Sequence, residues 1–169
     1  MGVGSLNEYN DYVGSVRKYL RKYNQFKVTI LNLEEEKEAQ IKMLNDFSVS
    51  IAKYGDEPGG GSSELNQTEA AADRRIKIKK EIENIDMNIA VLQRLIKKVD
   101  RSIAGLADTE RRLVVGYFFD RRSWMELGNE MYYTEKWARE RGNKAVKEIA
   151  FMMFGSVARP EQLRFVFCG

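Results

Sequence analysis

The stretch SWMELGNEMYYTEKWARERGNKAV, Ser123–Val146, decides how this chain is read. Ser123 and Glu126 have the spacing of a capping box, in which a serine oxygen accepts a first-turn amide and the glutamate reaches back. Thr134 offers a similar opening to a second helix. If the first helix ends at Met131, only Tyr132 and Tyr133 separate it from Thr134. A connection that short between two helices is what a helix-turn-helix uses. The second helix then runs to about Phe154 and stops at Gly155. Leu127, Met131, Tyr133, Ala138, Ala145 and Ile149 fall on inward faces.

Upstream, Gly105 can stop a helix, and Asp108 or Thr109 can cap the next, which ends near Asp120. It adds Leu113, Tyr117 and Phe118 to the inward set. Trp124 and Trp137 help close this core, because small three-helix units bury little surface and large aromatics supply apolar area.

Two long helices precede this unit. From Val16, steps of 3 and 4 reach Tyr19, Tyr23, Phe26, Ile30, Leu33, Lys37, Gln40, Leu44, Phe47 and Ile51. The stripe is apolar except at Lys37 and Gln40, beside EEEKEAQ, where the seam should be weakest. Ser5 and Glu8 have capping-box spacing and predict a helix from about Ser5 to Tyr54. A second heptad seam runs through Ile78, Ile82, Ile85, Ile89, Leu92, Ile96, Val99, Ile103 and Leu106, with Val91 and Leu95 widening it. Between them, a proline followed by three glycines cannot hold a helix. The expected fold is all-α: a long antiparallel helical hairpin, coiled-coil-like, followed by a three-helix helix-turn-helix unit. The corresponding segments are a first long helix (1–54), a Gly/Ser linker (55–63), a second long helix (64–106), the helix-turn-helix unit (107–155) and a tail (156–169). Homodimerisation through the long helices stays open. In the tail, Leu163, Phe165 and Phe167 alternate as in a strand, with no other strand expected.

The formal net charge of +3 is mild, so any nucleic-acid argument rests on where the charges sit. Histidine is absent and Cys168 is the only cysteine. No intramolecular disulfide and no cysteine zinc site can form, which suits a reducing cytoplasm. No metal or cofactor is expected. No catalytic carboxylate pair or activated nucleophile stands out, and PGGGSS lacks the lysine of a phosphate loop, so an enzyme is not expected. The N-terminal stretch lacks the pattern of a signal peptide, and no apolar run approaches the ~20 residues of a membrane span.

The outward face of the last helix carries Glu135, Lys136, Arg139, Glu140, Asn143, Lys144 and Lys147. In a helix-turn-helix the start of the second helix enters the major groove. There Arg and Lys can donate to guanine, and Asn can pair with adenine. Glu135, Lys136, Arg139, Glu140 and Asn143 are therefore the expected base-contacting residues. Arg111, Arg112, Arg121, Arg122, Ser123, Thr134, Arg141, Lys144 and Lys147 are placed for phosphate, although Arg141 can instead pair with a carboxylate on the inner rim. From Thr109 to Arg159 there are ten basic and seven acidic residues. With so small an excess, a salt-bridged surface is the alternative reading of this face.

Leu106–Ile149 resembles the DNA-binding fourth region of sigma factors. The matching features are Glu110-Arg111 in the leading helix, Glu126-Leu127-Gly128, Met131, the Tyr132-Tyr133 turn, the Thr134 cap and Lys144-Ala145, with Ile149 closing the core. The wider chain is similar to small phage regulators of the ArpU and RinA type, through PGGGSSELNQTEAAADRR and YFFDRRSWMELGNEM. The resemblance covers roughly residues 60 to 154, and the first helix by architecture alone. It implies a regulator of phage or prophage late genes, an activator, that binds double-stranded promoter DNA and contacts RNA polymerase as sigma factors do. Three positions depart from the pattern. Tyr132 stands where the turn usually has glycine, Gly142 lies inside the recognition helix, and Ala138 is smaller than the usual branched residue. Two other functions fit the same elements: a small-terminase-like packaging subunit, and a helical adaptor that binds no DNA.

Overall fold

The computed structural model describes residues 11–54 and 62–158, with side chains placed for 11–48 and 66–158. The fold is all-α, and the described residues contain no strand. Helix α1 spans Tyr12–Tyr54 and α2 spans Ser62–Ala104. Asp11 opens α1: its Oδ1 accepts from the Gly14 N–H at 2.7 Å, and its carbonyl from the Ser15 N–H at 2.9 Å. The Ser5–Glu8 start, the glycines of the linker and the alternating apolar residues of the tail lie outside the described residues.

The described residues form two compact units, divided at Gln25/Phe26 and at Leu95/Ile96. In the unit Phe26–Leu95, the expected seam is the covered face. Phe26, Ile30, Leu33, Leu44 and Phe47 of α1 are half-buried, as are Ile82, Ile85 and Leu92 of α2, and Ile78 and Ile89 are buried. Both polar seam positions have partners. Lys37 Nζ donates to Asp86 Oδ1 at 2.6 Å, and Gln40 Nε2 to Glu36 at 2.9 Å. Leu95 widens the stripe as expected, but Val91 does not; it is 54% exposed.

The other unit contains the start of α1, the end of α2 and three further helices. Val16, Leu20 and Tyr23 are buried here, with Val99, Ile103 and Leu106. The Tyr23 hydroxyl donates to Asp100 at 2.5 Å. This pair ties α1 to α2 in this unit, as Lys37–Asp86 does within the other.

Helix α3, Asp108–Val114, opens after Ala107 with no side-chain cap. Asp108 is its first residue rather than its cap, and pairs with Arg111 at 3.4 Å. The chain continues as a π-helical turn, Val115–Phe119, closed by the Asp120 N–H on the Val115 carbonyl. Helix α4 spans Trp124–Glu130 and α5 Glu135–Phe154, followed by a 3₁₀ turn over Gly155–Ala158. Gly155, at φ 77°, ends α5. The core between these helices is Leu113, Val114, Phe118, Leu127, Ala138, Ala145, Val146, Ile149, Ala150 and Met153.

The two tryptophans pack against this core. Trp124 stacks on Tyr117 at 3.9 Å, and its far edge lies over Gly142, where a Cβ would come within 2.4 Å of Cη2. The glycine inside α5 thus admits the indole. Tyr133 departs from its expected inward place: it is half exposed, with its ring stacked on Trp137 at 3.8 Å. No helix among the described residues is long and apolar enough to cross a membrane.

Candidate nucleic-acid interface

The capping box that opens α4 is complete. Ser123 Oγ accepts from the Glu126 N–H at 3.2 Å, and Glu126 Oε2 accepts from the Ser123 N–H at 2.7 Å. The backbone donor at Ser123, joined by its hydroxyl, holds the Glu126 carboxyl below the usual carboxylate range. Nine residues after Glu126 the chain reaches Glu135, the first residue of α5, which Thr134 opens: its Oγ1 accepts from the Trp137 N–H at 3.2 Å.

The turn between them is a Schellman motif. The Tyr132 N–H donates to the Asn129 carbonyl at 3.2 Å, and the Tyr133 N–H to the Gly128 carbonyl at 2.9 Å. Gly128 is buried beneath the turn, where a Cβ would stand 3.0 Å from the carbonyl oxygens of Tyr133 and Thr134. Tyr132 holds the left-handed position of the motif, at φ 62°. Glycine adopts that conformation freely; another residue costs about 1 kcal/mol there.

The exposed face of α5 carries Glu135, Lys136, Arg139 and Glu140, each more than half exposed. Their ion pairs run i to i+4 at the limit of contact: Lys136–Glu140 at 3.9 Å and Glu135–Arg139 at 4.0 Å. Exposed pairs of this kind contribute about 0.3–0.5 kcal/mol each, so a stronger anion can displace them. Behind this face, Leu127 and Ile149 are buried and Met131 packs against the same core. Asn143 is placed differently from its neighbours. It is half-buried, and its amide oxygen accepts from Arg17 Nη2 of α1 at 3.1 Å.

The basic residues expected at phosphate divide into two groups. Lys144 is exposed, with only Glu148 near it at 3.9 Å, and exposed Lys147 has no ion-pair partner among the described residues. Ser123 and Thr134 lie at exposed helix starts. The five arginines instead have partners within the fold. Arg111 donates to the carbonyls of Ile103, Ala104 and Leu106, closing the C-terminus of α2. Arg141 pairs with buried Glu110 at 3.1 Å, tying α5 to α3. Arg121, itself at φ 59°, donates to the Arg21 carbonyl at 3.1 Å.

Arg112 and Arg122 share one carboxylate. Arg112 Nη2 donates to Glu130 Oε1 at 2.9 Å, and Arg122 Nη2 donates to Oε2. Hydrogen bonds from Arg122 first, then Arg112, hold Glu130 below the usual carboxylate range. These residues rim a cavity of about 300 Å³, floored by Val115, Gly116, Leu127 and Met131. The carboxylate partner expected as an alternative for Arg141 is thus Glu110, whereas sequence spacing gives no sign that Arg112 and Arg122 meet on Glu130. Among the described residues no group of three or more acidic, histidine or cysteine side chains could hold a metal.

No family model matches the chain, and no curated protein or solved structure matches it.

Proposed function

We propose that this chain is a sequence-specific DNA-binding regulator of the kind that acts on phage or prophage late genes in the cytoplasm of a bacterial host. The observation that carries this reading is the α4–turn–α5 unit, which presents Lys136 and Arg139 to solvent at the start of a capped helix. In this reading the N-terminal half of α5 enters the major groove of double-stranded DNA. Arg139 and Lys136 donate to guanine, and Glu135 or Glu140 accepts from cytosine. Lys144, Lys147 and the helix starts at Ser123 and Thr134 meet phosphates. Asn143 is left out of the base contacts because Arg17 occupies its oxygen. Arg111 and Arg141 are likewise assigned to the fold and not to phosphate.

The sigma-like pattern extends the reading to activation through contact with RNA polymerase. No catalytic step and no cofactor belongs to it. Selection of bound fragments from the native genome should return a discrete site, with affinity falling steeply as salt rises. Arg139→Ala should weaken binding at that site by about 1–3 kcal/mol and relax preference at one position. Absence of binding to any native fragment at low salt would overturn the reading in favour of a protein adaptor. Undiminished binding by Arg139→Ala would overturn the assigned face.

A further inference from the structure

Tyr132 occupies the one position of the α4–α5 turn where glycine fits best, at φ 62°. Its side chain is 96% exposed and stacks on no other ring among the described residues. The turn's hydrogen bonds use only its backbone. The phenol therefore adds no burial to the fold, while its Cβ strains the backbone that carries it. Its neighbour Tyr133 differs, since that ring stacks on Trp137 and covers the first turn of α5. Tyr132 stands two residues before the Thr134 cap, next to the helix start that carries Lys136.

Resting on the DNA reading above, we propose that Tyr132 is a contact residue for the sugar-phosphate backbone bordering the groove that α5 enters. Its hydroxyl donates to a phosphate oxygen and its ring lies against deoxyribose. Backbone rather than base is the assignment because the turn precedes the helix, outside the exposed face that holds Lys136 and Arg139. A neutral donor releases no counterion, so its loss weakens binding without changing the salt slope. A backbone contact carries no sequence information, so the same factor applies to cognate and unrelated duplexes.

The test compares the full-length wild type with Tyr132→Gly and Tyr132→Phe, measuring thermal unfolding and binding to selected and scrambled duplexes across a salt series. Tyr132→Gly should unfold about 2–4 °C higher, because glycine relieves the turn. It should bind both duplexes about 3- to 10-fold more weakly, the scale of one hydrogen bond, with an unchanged salt slope. Tyr132→Phe should keep the melting temperature and lose part of that affinity. A Tyr132→Gly protein that is more stable and binds DNA as well as wild type overturns the contact and leaves the DNA reading standing. Loss confined to the selected duplex overturns the backbone assignment. A lower melting temperature overturns the premise that the side chain is idle in the fold. A wild type that binds neither duplex overturns both readings.

Discussion

Gly142 stands inside α5, where alanine would be the better helix former by about 1 kcal/mol. The Trp124 ring decides against alanine. A methyl group there would meet Cη2 at 2.4 Å and Cζ3 at 2.6 Å, and Tyr117, stacked behind the indole at 3.9 Å, restricts its retreat. Overpacking of this kind costs about 1–3 kcal/mol, which exceeds the gain in propensity. Gly142→Ala should therefore destabilise the protein by about 1 kcal/mol in denaturant titration, whereas propensity alone would stabilise it. A more stable variant would mean that the indole moves aside. Gly105 offers the contrast. Its added methyl would meet the flexible end of Met152, Sδ at 2.8 Å, which can swing away. Glycine thus sits where a helix prefers alanine, and tyrosine sits at 132 where a turn prefers glycine. The first is explained by packing within the fold; nothing within the fold explains the second.

At the scale of the element, α4 is held at its start by Glu126 and near its end by Glu130, both held below the usual carboxylate range. A carboxylate depressed in the folded state contributes stability above its unfolded pKa of about 4.3, and that contribution is lost as pH falls through the lower folded value. Stability should be level from neutral pH to about 5 and fall below about 4. Glu130→Gln removes the acceptor charge shared by Arg112 and Arg122. Its deficit relative to wild type should be largest at neutral pH and shrink towards pH 3 in thermal melts. A deficit that stays constant across that range would show that the carboxylate's charge is not its source. The caps at Ser123 and Thr134 were legible in the sequence because each needs only a side chain and an amide three residues on. The expected seams were legible because a heptad repeats, and the described positions lie on the covered face. Arg111 on the α2 carbonyls and Asn143 on Arg17 were not; for Arg141 a carboxylate partner was expected as one alternative, but not that it is Glu110. The Asn143 contact, the choice of Glu110 and the burial of Leu20 depend on where a distant helix comes to rest, and the Arg111 contacts on how the chain turns between α2 and α3; no local pattern encodes either. The π-helical turn at Val115–Phe119 left no periodic signal either, being a single widened turn.

For the whole molecule, the question is whether the long helices serve this chain or join several. Both expected seams are covered within the chain where they are described, Val16 and Tyr23 with Val99 and Ile103 in one unit, Ile78 and Ile89 in the other. The polar position Lys37 finds Asp86 of the same chain at 2.6 Å, and Tyr23 finds Asp100. Such pairs add little energy, about 0–1 kcal/mol for an exposed bridge, but each ties α1 to α2 within its own unit. An isoleucine-rich seam already occupied in this way is not available to recruit further chains into a ring. The apolar residues left exposed, among them Val28, Leu31, Met87 and Val91, lie off those seams. The full chain should therefore behave in solution as a monomer or at most a dimer at micromolar concentration, by light scattering or sedimentation. Lys37→Glu, which sets two carboxylates against each other at the bridge, should lower the melting temperature without changing that mass. A stable ring of many chains would favour a DNA-packaging subunit over a regulator. A mass that falls with Lys37→Glu would place the bridge between chains and not within one.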